Sequence, residues 1–183
     1  MTDTQDFGPV LRFWFEEIAP AQWWRADAAF DRTVRDRFAG VHRAATRGEL
    51  SAWRTRPAGR LAEIIVLDQF SRNMYRGSAL AFAADPVALV LAQEAVAGGH
   101  DAALEPPQRV LLYMPFMHSE SAIVHQTAWQ LFEALGLPSN LEFERRHKAI
   151  IDRFGRYPHR NAILGRASTD EELRFLDEPG SSF

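Results

Sequence analysis

The sequence predicts an all-α protein, a stack of antiparallel helix pairs. Apolar residues recur at helical spacing along almost the whole chain, while strand-type alternation is nearly absent. Proline and aspartate stand where helices would begin, and glycine where they would end.

Taken in order, Asp6 is placed to cap a helix through VLRFWFEEI, with Pro9 in its first turn. Asp27 caps a second, AAFDRTVRDRFAGVHRAATRG, whose inward face runs through Phe30, Val34, Arg37 or Phe38, and Val41, and which Gly48 stops. The third, from about Pro57 to Asn73, is apolar on almost every side, with Glu63 and Arg60 as its solvent-facing positions, so it should be the central helix. Asp85-Pro86 opens a fourth, closed by Gly98-Gly99. Pro106-Pro107 opens a fifth through RVLLYM, and Pro115 is expected to break the chain before a sixth from Ser119 to Leu135. A seventh spans about Ser139 to Phe154, and Thr169-x-x-Glu172 has the capping-box pattern ahead of ELRFL. Connections of about two to eight residues favour antiparallel neighbours, and no fixed repeat period is visible. The irregular stretch 155–168, GRYPHRNAILGRAS, carries Tyr157, Ile163 and Leu164 and is expected to pack against the body.

A chain of 183 residues, 46% hydrophobic and 25% charged, is enough for one substantial core and short for two, so a single helical domain over 1–183 is expected. The absence of cysteine rules out disulfides, thiolate metal sites and cysteine nucleophiles. The opening MTDTQDFGPV has no signal-peptide pattern, and no stretch approaches the roughly 20 apolar residues of a membrane span. A cytoplasmic protein without membrane contact is the expectation. Lys148 is the only lysine, and acidic residues interleave the arginines for a net charge of -3, so nucleic acid is not an expected partner.

Ionisable residues interrupt apolar stripes on separate helices. Asp68 and Arg72 sit among Leu61, Ile64 and Ile65 on the third helix. Glu120 lies in the first turn of the sixth, whose stripe is Val124, Thr127, Ala128, Leu131 and Leu135. His147 lies amid Phe143, Ile150, Ile151 and Phe154 on the seventh. An unpaired buried charge costs several kcal/mol, so these groups must find partners. Asp68 should pair with Arg72, one turn away, and Glu120 and His147 should meet near them or near the arginines of 155–168. His118 would line the same opening. Three histidines and a glutamate could hold a metal, but their spacing follows no ligand rule and no metal is expected. The HSE string resembles the H-x-E of zinc deaminases, whose cysteine ligands have no counterpart here. The tryptophans Trp14, Trp23, Trp24, Trp53 and Trp129 read as packing residues.

LDQFSRNMYRG, AFAADPVAL, YMPFMHSE and RFGRYPHRNAILGRASTDEE together resemble a bacterial family known as domain of unknown function 924, over nearly the whole chain. The resemblance implies a compact array of tetratricopeptide-like helix pairs and implies no reaction. The family's motif positions fall here on Asp68, Gln69, Arg72, Asn73 and Arg76, on His118, Ser119 and Glu120, on Gln126 and His147, and on Arg153 through Arg166, which includes Arg156, His159, Arg160 and Asn161. Ser71 departs from the pattern, which has proline after the phenylalanine.

Three functions compete. A binding pocket would hold an anionic small molecule or an acidic peptide end, with Arg72, Arg156 and Arg160 gripping the anion, His118 and His159 donating hydrogen bonds, and Asp68 and Glu120 orienting the arginines. An acid/base hydrolase would use Glu120 with His118 or His147, needing no cofactor, although no nucleophile motif is present. In the third reading the polar network only fixes helix packing. Oligomeric state is unreadable.

Overall fold

The computed structural model describes residues 6–182. Met1–Gln5, the start of the segment read for a leader, lie outside the described residues. Among the described residues the regular structure is all helix, with no strand. It forms two compact units, with boundaries after Arg76, Ala79 and Pro115: Leu80–Pro115 belong with the part that ends at Arg76, and Gly77–Ala79 with the part that begins at Phe116.

The first unit holds α1 (Gly8–Arg12), α2 (Ala28–Thr46), α3 (Pro57–Ile65), α4 (Ser71–Met74), α5 (Asp85–Ala97) and α6 (Pro106–Met117), the last as far as Pro115. Asp27 caps α2 by accepting the amides of Ala29 and Phe30 at 2.8 and 3.2 Å. The helix from Pro57 is central, as its composition requires: Leu61, Ile64, Ile65, Leu67 and Phe70 are all buried. Phe13, Phe38 and Phe70 join in one aromatic cluster, with Phe38 and Phe70 centroids 4.8 Å apart. Between α3 and α4 the backbone widens into a π-type turn, Val66–Phe70, which carries Asp68 and Gln69 inward.

Three expectations for this unit are corrected. Glu63 does not face water; it is 0% exposed and held by Arg54, whose Nε and Nη2 donate to its two oxygens at 2.8 and 2.7 Å. A carboxylate met by a guanidinium fork can enter a core that an isolated one cannot. Pro115 does not break its helix, which runs on to Met117; so near the end only one interior amide bond is forfeited. Finally, Ala79–Ala97 is long and apolar enough by composition to cross a membrane, with 33% of it buried within the protein. Its regular helix, α5, begins only at Asp85-Pro86 and has 13 residues, about 20 Å of length against about 30 Å of hydrocarbon.

The second unit holds α7 (Ala122–Leu135), α8 (Pro138–Phe154) and α9 (Asp170–Leu176). Gly136, at φ 72°, ends α7 in the left-handed conformation, and α8 starts at Pro138, so the two helices form a tight hairpin. Thr169 and Glu172 make the reciprocal capping box that their spacing predicts. The stripes of this hairpin are turned by about one position from those read off the sequence. His125, Ala128 and Phe132 are buried on α7 while Thr127 is exposed, and on α8 Glu144 and His147 go inward while Phe143 is 48% exposed. Because α7 starts at Ala122, Glu120 lies before the helix, not in its first turn. Within 155–168, a short turn at Pro158–Arg160 buries Tyr157, Pro158, Arg160 and Asn161, and Tyr157 packs with Ile150 and Ile151.

Candidate functional site

The predicted site residues divide between the two units. In the first, the π-type turn brings Asp68, Gln69 and Arg72 together. Arg72 Nη1 reaches Asp68 Oδ1 at 2.9 Å and its fork also grips Asp85, at 2.8 and 2.9 Å. Gln69 donates to Asp68 Oδ2 at 2.6 Å. One guanidinium thus bridges two carboxylates, and the second carboxylate, Asp85, opens α5. Asn73 turns elsewhere: its amide donates to Asp31 Oδ1 at 2.9 Å, and Arg76 clasps the same carboxylate through Nε and Nη2. This ties α2 to α4.

His42 belongs to the same unit and gave no periodic signal. The Ser71 hydroxyl donates to the Leu67 carbonyl at 2.6 Å, so its oxygen accepts from His42 Nε2–H at 2.8 Å. Burial holds the His42 pKa below its usual value.

In the second unit Tyr157 is the hub. Its amide donates to Glu120 Oε1 at 2.7 Å and its hydroxyl to the Met117 carbonyl at 2.5 Å. Its ring has His147 at 5.8 Å, His159 at 5.6 Å and His125 at 6.4 Å between centroids. The Arg160 guanidinium, 6% exposed, lies 4.6 Å over that ring. His118 and His147 are 6.4 Å apart. His118 and His159 are each half-buried.

Glu120 meets an arginine of the 155–168 segment, Arg166, whose Nη1 and Nη2 donate to its two oxygens at 2.6 and 2.9 Å. Burial pushes the Glu120 carboxyl up, but the Arg166 fork, the Tyr157 amide and the nearby Arg160 outweigh it and hold it below the ordinary range. Arg166 also donates to Asn161 Oδ1 at 2.9 Å, and Asn161 in turn donates to Ser168. Arg156 is occupied by Glu172, at 2.6 and 2.7 Å, and by the Ala167 carbonyl. Held first by Arg156, the Glu172 carboxyl falls to about 2. These clamps fold the irregular segment onto its unit.

His147 donates from Nδ1 to the Phe143 carbonyl at 2.8 Å, which leaves Nε2 as the acceptor nitrogen. Burial lowers its pKa to about 3; the Phe143 bond opposes this, and His118, His125 and Arg160 add to it. The imidazole is neutral because burial penalises its charged form, and the positive groups around it add to that.

Two interior residues escaped the stripe reading. His125 Nδ1 and Glu144 Oε1 are 2.7 Å apart and both side chains are 0% exposed. His125 Nε2 donates to the Ser119 carbonyl at 2.9 Å, with Tyr157 Oη at 3.2 Å. Glu144 sits among Glu142, Arg145, Arg146 and Lys148, a run that reads as a solvated face. Its only sequence signal is the i, i+3, i+7 relation to His147 and Ile151. Among the described residues no group of three His, Cys, Asp or Glu side chains is arranged to hold a metal.

The family profile of bacterial proteins of unknown function, DUF924, matches residues 10–180. The chain belongs to this DUF924 family. A solved structure of a protein of unknown function from Agrobacterium tumefaciens is similar to it, at 42% identity and a TM-score of 0.89, over 93% of this chain and 96% of the other. No curated relative matches. The biochemical function of the family is unknown, so any reading of this site rests on its geometry. The Ser71 hydroxyl bridges His42 to the Leu67 carbonyl, which a proline at this position could not do.

Proposed function

We propose that the protein binds a small anionic molecule, a phosphate or carboxylate compound or an acidic peptide end, at the grouping of Arg160, His118, His147 and His159 around Tyr157. The observation that carries this reading is the nearly buried Arg160 guanidinium stacked on a tyrosine that two further histidine rings share. Such a cluster concentrates positive potential where the irregular segment meets the hairpin, and half-buried His118 and His159 can donate to an incoming oxygen.

The acid/base alternative has less support. Glu120 is committed to Arg166 and the Tyr157 amide, and its lowered pKa suits an anion, not a proton carrier. The carboxylate that does face a histidine, Glu144, is closed to water. The saturated pairs of Asp31, Asp68, Glu120 and Glu172 favour a packing role for those residues. The α7–α8 hairpin is in keeping with a tetratricopeptide-like array, and the lack of cysteine with a cytoplasmic location.

Thermal-shift titration with phosphate, citrate and a short acidic peptide tests the proposal. At millimolar ligand the midpoint should rise by about 2 °C or more for at least one of them, and Arg160→Gln and His159→Ala should each abolish the rise. No rise with any of the three, or a rise that survives both substitutions, overturns it.

A further inference from the structure

The outer face of the α7–α8 hairpin carries a groove of about 500 Å³ that includes none of the site residues above. Gln126 and Gln130, one turn apart on α7, line one side with Trp129 beside them; Arg145, Lys148 and Asp152 line the other, from α8. Ala149 of α8 completes the lining with a single methyl. Trp129 is half-buried and lines the groove. This volume lies within the roughly 300–1,000 Å³ of small-molecule sites.

The groups present narrow the ligand. An indole surface accepts any planar ring, and two side-chain amides, each both donor and acceptor, match the edge of a base. Lys148 is paired with Asp152 at 2.6 Å and Arg145 with Glu142 at 2.7 Å, both at the surface. Exposed pairs of this kind hold little net energy in water, so a phosphate can recruit either cation. Of the lining side chains two, Arg145 and Lys148, are cationic and one, Asp152, is anionic, which leaves a positive balance for an anion. Asp152 then supplies an acceptor for sugar hydroxyls.

We propose that this groove binds a mononucleotide, with the base stacked on Trp129 and the phosphate held by Arg145 and Lys148. A sugar phosphate would use the cations but not the indole, and a nucleoside the indole but not the cations; the mononucleotide uses both. None of the groove's residues belongs to the anion site around Tyr157.

The test follows the Trp129 indole N–H signal, assigned with Trp129→Phe, in nitrogen-resolved spectra of the intact protein. Adenosine monophosphate should move this signal saturably below about 5 mM, and adenosine and ribose phosphate should each bind about tenfold more weakly. Lys148→Gln with Arg145→Gln should weaken the monophosphate about tenfold and leave adenosine unchanged. Arg145 is exposed and Lys148 half-buried, and neither belongs to the core. An unmoved indole signal, a monophosphate affinity unaffected by the paired substitution, or ribose phosphate binding as tightly as the nucleotide would each overturn the proposal.

Discussion

Glu144 and His125 share one proton across 2.7 Å in a part of the second unit that water does not reach. The carbonyl of Ser119 can only accept, so His125 Nε2 carries a hydrogen, and whatever joins Nδ1 to Glu144 Oε1 is a single further proton. The other carboxyl oxygen, Oε2, is buried without a hydrogen-bond partner, which favours a neutral carboxyl over an anion.

Burial raises the Glu144 pKa above 4.5, against the pull of His125 and Lys148. The folded chain therefore keeps a proton that the unfolded chain gives up, and stability falls as pH rises from about 4.5 through the folded value. Glu144→Gln offers Nδ1 an amide hydrogen in place of the hydroxyl. It should flatten this part of the stability curve and be at least as stable as the parent at neutral pH, as urea unfolding at a series of pH values would show. A strongly destabilised Gln variant would mean that the imidazole holds the proton.

His147 makes the opposite contribution. Its folded pKa of about 3 lies below the ordinary 6.5, so between these values the unfolded chain takes up a proton that the folded chain refuses. Stability should be complete above pH 6.5 and decline as pH falls toward 3, by on the order of 5 kcal/mol at most. His147→Asn, which retains an N–H for the Phe143 carbonyl, should shorten that acid limb. Buried His42, also lowered, would account for part of the slope that remains. Acid unfolding curves of the two proteins that superimpose would refute this assignment.

Arg72 joins Asp68 to Asp85. Arg72→Ala removes the guanidinium that bridges them and should cost about 3–5 kcal/mol, as expected when a buried pair loses one partner. Adding Asp68→Asn should recover part of that loss, because one of the two carboxylates is then gone. Chemical denaturation of the single and double variants measures the coupling, and purely additive losses would argue against it.

Gly59 lies where α3 crosses the carbonyl of Trp53. A Cβ there would stand 2.1 Å from that backbone oxygen, which no rotamer change can relieve. Gly59→Ala should destabilise the first unit by about 1–3 kcal/mol despite alanine's better helix propensity. Tryptophan fluorescence in urea would follow it, since Trp53 is buried at the contact; an unchanged midpoint would contradict the close approach.

Asp27, Thr169-x-x-Glu172 and Gly136 announce helix ends whose local hydrogen bonds and backbone angles the structure contains. The helix from Pro57 is equally plain, because residues apolar on every side admit only a central position. Other positions depend on partners far along the chain. Glu63 looks solvent-facing until Arg54 is known to reach it. His125 and Glu144 become an interior pair only once the hairpin is closed and its stripes are turned. The partner of Glu120 is 46 positions away in an irregular segment with no periodicity to orient it.

Local chemistry by itself thus determined the helical class and most helix limits, since caps, prolines and periodicity act within a few residues of backbone. Only the tertiary structure decided which charged side chains enter the interior and with whom. The free energy of a buried charge is set by its partner's geometry, and that geometry exists only once distant segments have met.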